Sequence, residues 1–241
     1  MTQIPSPSGA VPASGRPGAA PGIAALGPAM VRWTGKRDGD MGDPTGVDAV
    51  VQGRRRSVID LPWTWLTQVH GAGVAVVDGP GGSAGVAADA AVSAAPGVAL
   101  AVITADCAPV AFASPEGVIG VAHAGWRGLV GGVIEETVLA MRGLGARSVL
   151  AALGPCIHPE CYAFGPADLD AAADHFGPTV RALTSEGHPA FDIPGAVRVA
   201  LERAGAALVV DAGVCTSCSG EHWSWRARRD RPRQATVVWQ S

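Results

Sequence analysis

Ile103-Thr104-Ala105-Asp106-Cys107-Ala108-Pro109-Val110-Ala111-Phe112-Ala113-Ser114-Pro115-Glu116-Gly117-Val118-Ile119-Gly120-Val121-Ala122-His123-Ala124-Gly125-Trp126-Arg127-Gly128 reads as two β-strands with a turn between them. The runs Pro109 to Phe112 and Val118 to Ala122 are rich in strand formers, and Asp, Ser, Pro and Gly bound them. A lone Cys and a lone His stand at the ends of apolar runs, which is where a sheet presents side chains to a ligand.

Working outward, further strands are expected at Val31 to Thr34, Trp63 to Val69, Val74 to Val77, Val98 to Thr104, Val149 to Leu153, Ala207 to Val210 and Ala235 to Trp239. Helices are expected at Gly46 to Asp60, although Gly53 and the Arg54-Arg55-Arg56 run weaken it, at Leu129 to Met141 with Gly131-Gly132 near its start, at Ala167 to His175 and at Ile193 to Ala204. Strands that come first, with helices following, predict an α/β fold of the α+β sandwich kind, a mixed sheet covered by helices in a single domain over residues 29–241. Residues 1–28 hold six Pro and five Gly with almost no charge, so a disordered tail is expected there.

Composition narrows the function. A formal net charge of -3 supplies no basic field for nucleic acid or anionic lipid, and no apolar run is long enough to span a bilayer. Without a secretory signal the expected location is the cytoplasm, and five Cys there predict reduced thiols, metal ligands or a reactive thiol rather than a disulfide framework. The oligomeric state is not legible.

His70 closes Trp65 to Val69, Cys107 follows Val102 to Asp106, and His123 closes Val118 to Ala122. Two imidazoles and a thiolate would hold zinc with its fourth tetrahedral position left for water, as in catalytic sites, and the thiolate also permits copper. The same residues fit a buried apolar Cys with two satisfied imidazoles, or a Cys107 nucleophile with a His base. Spacing does not separate these readings.

The chain resembles the laccase-domain (YfiH-like) proteins, formerly described as multicopper polyphenol oxidases and now regarded as purine nucleoside phosphorylases with adenosine deaminase activity. The resemblance lies in Thr67-Gln68-Val69-His70-Gly71, Ala88-Asp89-Ala90, Thr104-Ala105-Asp106-Cys107-Ala108-Pro109, His123-Ala124-Gly125-Trp126-Arg127-Gly128 and Gly154-Pro155-Cys156-Ile157. It continues through Cys161-Tyr162, Cys215-Thr216, Ser224-Trp225-Arg226 and Arg233-Gln234-Ala235, over roughly residues 60–241. Ala163 and Ala227 stand where the family commonly has Glu and a second Arg.

The resemblance implies that His70, Cys107 and His123 are catalytic metal ligands, for zinc or alternatively copper, and that purine nucleosides and phosphate are the partners. Gln68, Asp106, Arg127, Arg226 and Arg233 are the expected substrate contacts, with Arg127 at a helix start suited to an anion. Three alternatives stay open: a Cys107 hydrolase or amidase in peptidoglycan precursor editing, a copper polyphenol oxidase, and a non-catalytic metal-binding protein. Cys156, Cys161, Cys215 and Cys218 are a further set with the composition of a structural zinc site.

Overall fold

A computed structural model of the chain describes residues 22–43 and 45–240. Its strands are β1 (Ile23–Leu26), β2 (Ala29–Trp33), β3 (Trp63–Thr64), β4 (Val74–Val76), β5 (Ala90–Ser93), β6 (Ala99–Thr104), β7 (Ala108–Ala113) and β8 (Ile119–Ala124). They continue with β9 (Val149–Leu153), β10 (Arg181–Leu183), β11 (Pro189–Phe191), β12 (Ala206–Asp211) and β13 (Gln234–Gln240). The helices are α1 (Ala49–Val58), α2 (Trp126–Val130), α3 (Val133–Gly143), α4 (Pro166–Phe176), α5 (Ile193–Ala204) and α6 (Trp225–Arg228).

A mixed five-stranded sheet, β1-β2-β13-β6-β3, lies against a mixed six-stranded sheet, β12-β9-β7-β8-β5-β4. Strand alternation explains the stacking. In β8, Ile119 and Val121 enter a core shared with Leu100 and Val102 of β6, while Ala122 and Ala124 join the core that faces α3 and α5. His123 has the parity of Ile119 and Val121, so it points into the seam between the sheets. The opposite face of the five-stranded sheet, with Ala99, Ala101 and Val237, packs around Met41 and Trp63 next to Val58 of α1.

Helix α5 shows how sequence places a covering layer. Asp192 caps its start by accepting from the Gly195 N–H at 2.9 Å, Pro194 sits in the first turn, and Gly205 ends it in the left-handed region. Ile193, Ala196, Val197, Ala200, Leu201 and Ala204 recur at helical spacing and are all buried against the six-stranded sheet.

Three expectations need correction. The helix expected from Leu129 to Met141 is two helices, because Gly132 takes a φ of 86° that right-handed helix cannot continue through. The strand expected over Trp63 to Val69 stops at Thr64, and Thr67 keeps only an isolated bridge to Ala87. The tail boundary at residue 28 falls inside a hairpin, since Ile23–Leu26 pairs antiparallel with Ala29–Arg32. The rest of that segment, residues 1–21, lies outside the described residues. Among those described, no helix is long and apolar enough to cross a membrane.

Candidate metal centre

Cys107 occupies the tight connection from β6 to β7. The residue before it, Asp106, has a φ of 104°, a costly conformation for a non-glycine residue that its surroundings hold in place. Its carboxylate accepts from Thr216 Oγ1 and from the Arg226 N–H, each at 2.7 Å, and its carbonyl accepts from the Ile157 N–H at 2.8 Å. Asp106 is therefore held within the protein immediately before Cys107.

His70 lies on the loop after the Thr67 bridge with a φ of 61°. That turn lets three successive N–H groups, of Val69, His70 and Gly71, converge on the Asp89 carboxylate at 3.2, 2.9 and 2.7 Å. The same carboxylate accepts from His123 Nδ1 at 2.8 Å, with both side chains almost fully buried. Asp89 thus fixes the His70 loop and the His123 tautomer together, leaving His123 Nε2 free to ligate. Placement at strand ends is corrected in two cases, since His70 is in a loop and His123 is inside β8.

The ligating atoms of His70, Cys107 and His123 all lie within 4.8 Å of one another. His70 Nε2 is 4.0 Å from Cys107 Sγ, and the two imidazoles meet edge to face. Gly125 closes in beside them: a Cβ there would stand 3.0 Å from His70 Cδ2 and 3.3 Å from Cys107 Sγ. Any side chain there would crowd the trio. One thiol and two imidazoles, with His123 oriented by a carboxylate, are a donor set and an outer shell that suit zinc or copper.

Charge favours the thiolate at Cys107 and the protonated form of His123, which a metal would have to displace. Burial alone would raise the Cys107 thiol, but the His123 and His70 imidazoles bring it down to about 6. Burial opposes protonation of His123, yet the Cys107 thiolate and the Asp89 carboxylate raise it to about 9. Burial also works against ionised Asp89, and its hydrogen bonds from His123 and the backbone hold it below the usual carboxylate range. Without metal the pair is a thiolate facing an imidazolium.

A cavity of about 500 Å³ opens from the trio and is lined by Arg55, Trp65, Gln68, Thr104, Trp225 and Arg233 among others. Gln68 lines it, but its amide is engaged with both the N–H and the carbonyl of Ile103 at 2.8 Å each, as a surrogate strand. Arg233 also lines it, with Nη1 donating to the carbonyls of Asp230, Arg231 and Pro232. Arg127 stacks on Trp126 at the start of a helix of five residues. Arg226 stacks on Tyr162 and donates to the Ala163 carbonyl at 3.0 Å. Neither is part of that lining.

Two residues of the site carry little signal in the sequence. Asp89 was visible only as the centre of Ala88-Asp89-Ala90, with no role attached. Arg55 was read as part of a basic run weakening α1. It is 1% exposed, lies between the Trp63 and Trp65 rings and donates through Nη2 to the Met41 carbonyl at 3.0 Å. Its Nε and Nη1 have no hydrogen-bond partner.

The family model described as multi-copper polyphenol oxidoreductase laccase matches residues 40–241. The chain belongs to this laccase family. Among related laccase-family proteins, a purine nucleoside phosphorylase of Streptomyces coelicolor is 44% identical over 179 residues, which cover 73% of this chain and 74% of that one. One of Deinococcus radiodurans is 45% identical over 168 residues, 68% of this chain and 64% of that one. YlmD of Geobacillus stearothermophilus superposes with a TM-score of 0.73 at 28% identity, covering 88% of this chain and 91% of that one. YfiH of Bacillus licheniformis shares the laccase-family fold with a TM-score of 0.77 at 24% identity, covering 92% and 97%. The expected α/β architecture is the one this family has.

Proposed function

We propose that this laccase-family chain is a zinc-dependent purine nucleoside phosphorylase that also deaminates adenosine. The observation that carries the proposal is the opening of the His70, Cys107 and His123 trio onto a cavity that Arg55 also lines. Relatives at this level of identity bear the name purine nucleoside phosphorylase, which supports the substrate class.

His70, Cys107 and His123 would hold the zinc, and Asp89 keeps His123 in its ligating tautomer. Bound there, zinc supplies Lewis acidity, lowering the pKa of an oxygen nucleophile and stabilising negative charge on oxygen. Arg55 has the chemistry for phosphate: a desolvated guanidinium beside the Trp63 and Trp65 rings, with two donors that have no hydrogen-bond partner. Phosphorolysis forms a bond from a phosphate oxygen to the ribose anomeric carbon and breaks the bond to the purine, so anchoring that anion is a large part of the protein's task. Trp65 and Trp225 offer flat apolar faces to the base.

A second reading rests on one observation, the depression of the Cys107 thiol to about 6 beside His123, which also describes a cysteine nucleophile in a hydrolase or amidase. Product analysis separates them. Metal-loaded protein given adenosine should form inosine without phosphate, and adenine with ribose 1-phosphate when phosphate is added. Absence of both products sinks the proposal, and metal-free activity abolished by a thiol alkylator establishes the hydrolase.

A further inference from the structure

A second group of donors lies away from the trio, where the Pro159–Cys161 turn meets the loop carrying Cys215 and Cys218. The ligating atoms of Glu160, Cys161, Cys215 and Cys218 all lie within 4.8 Å of one another. Cys161 Sγ and Cys218 Sγ are 3.2 Å apart, and Cys218 Sγ is 3.9 Å from Glu160 Oε1. Those sulfurs are well beyond a disulfide bond of about 2.05 Å. Donors on zinc–ligand bonds of about 2.0–2.3 Å stand roughly 3.3–3.8 Å from one another in a tetrahedron, and the distances of 3.2 and 3.9 Å lie just to either side of that range.

The backbone is arranged for bound thiolates. The His158 N–H points at Cys215 Sγ at 3.4 Å, and the N–H groups of Ser217 and Cys218 also serve that sulfur. Donors placed on the first sulfur of a Cys-x-x-Cys loop orient it and neutralise part of its charge. The loop is pinned from outside as well, by Arg228 donating to the carbonyls of Thr216, Ser217 and His222.

We infer that Glu160, Cys161, Cys215 and Cys218 bind a second zinc ion with a closed, four-ligand shell. The site differs from the four-cysteine set suggested by composition. Cys156 is buried in the helix-side core and only its backbone bridges to Cys215, so Glu160 takes the fourth place. With every position filled by protein, the ion is structural. It ties the 158–163 turn, which carries Tyr162, to the 215–228 segment, which carries Arg226.

The test is metal analysis of full-length protein purified with reductant and washed in metal-free buffer. The parent should carry two zinc equivalents, Cys107→Ala one, and Cys161→Ser with Cys218→Ser one. A double variant that keeps the parental zinc content overturns the site. So does a parent with a Cys161–Cys218 disulfide and a single zinc that Cys107→Ala removes. Should the double variant fail to fold, cobalt chloride titrated into zinc-stripped Cys107→Ala protein should still give a strong thiolate-to-cobalt charge-transfer band at one equivalent, and absence of the band refutes the site.

Discussion

His70, Cys107 and His123 open onto a cavity, whereas Glu160, Cys161, Cys215 and Cys218 face one another across two loops. The first group offers three donors with His123 oriented by Asp89; the second offers four, with a backbone donor on Cys215 Sγ. The groups are joined, because Asp106 precedes Cys107, Thr216 follows Cys215, and the two side chains share a hydrogen bond of 2.7 Å. The contrast teaches that soft donors alone do not define a reactive centre. What distinguishes the groups is the count of protein ligands and the room left beside them.

The largest expected effect breaks the contrast outright. Cys107→Ala should remove the cavity-side metal and reduce both nucleoside reactions to background while leaving zinc at Cys161, Cys215 and Cys218, as read by metal content and product formation. Asp89→Asn should weaken metal binding at the trio by about 10–100-fold without touching the other group, measured by competition with a chelator. Unchanged affinity would mean that Asp89 only shapes the loop.

Arg55→Met sharpens the functional half of the comparison. Loss of a charged anchor worth about 1.5–3 kcal/mol should raise the KM for phosphate by roughly 10–100-fold while adenosine deamination without phosphate is retained. Equal losses in the two reactions would remove Arg55 from the phosphate site. In metal-stripped protein the two groups should also differ in thiol reactivity. Cys107, brought down to about 6, should be alkylated at a rate that climbs through pH 6 and then levels. Its thiolate is present above that value and lost below it. Cys218, raised to about 12 by its contact with Cys161 and by burial, should stay slow across neutral pH, as mass spectrometry of labelled peptides would read. The smallest effect falls on the link. Thr216→Val leaves one buried Asp106 oxygen without its donor and should cost about 1–3 kcal/mol in urea unfolding.

Much of this was legible in the sequence, and the exceptions have physical reasons. Strands β6 to β9 and helix α5 announce themselves by β-branched runs, turn residues and helical spacing. Strands β1 and β5 do not, since Ile23–Leu26 follows a Pro- and Gly-rich segment and Ala90–Ser93 is built of small residues that only burial makes strand. The grouping of His70, Cys107 and His123 is legible from residue type, but its mode of convergence is not. His123 reaches the site by strand parity and His70 by a left-handed turn, and neither depends on an apolar run ending there. Arg55 was hidden for a further reason: a basic helix segment looks solvated, and only the Trp63 and Trp65 rings from another part of the chain make it a buried cation.

Strand β13 lies between β2 and β6 at the heart of its sheet, although it spans residues 234–240. During synthesis, then, β2 and β6 each keep an open edge until residues 234–240 have been made, exposed to mispairing with neighbouring chains. The central rib of this sheet is the last to arrive, so closure of that layer is a late folding event dominated by contacts between distant parts of the chain.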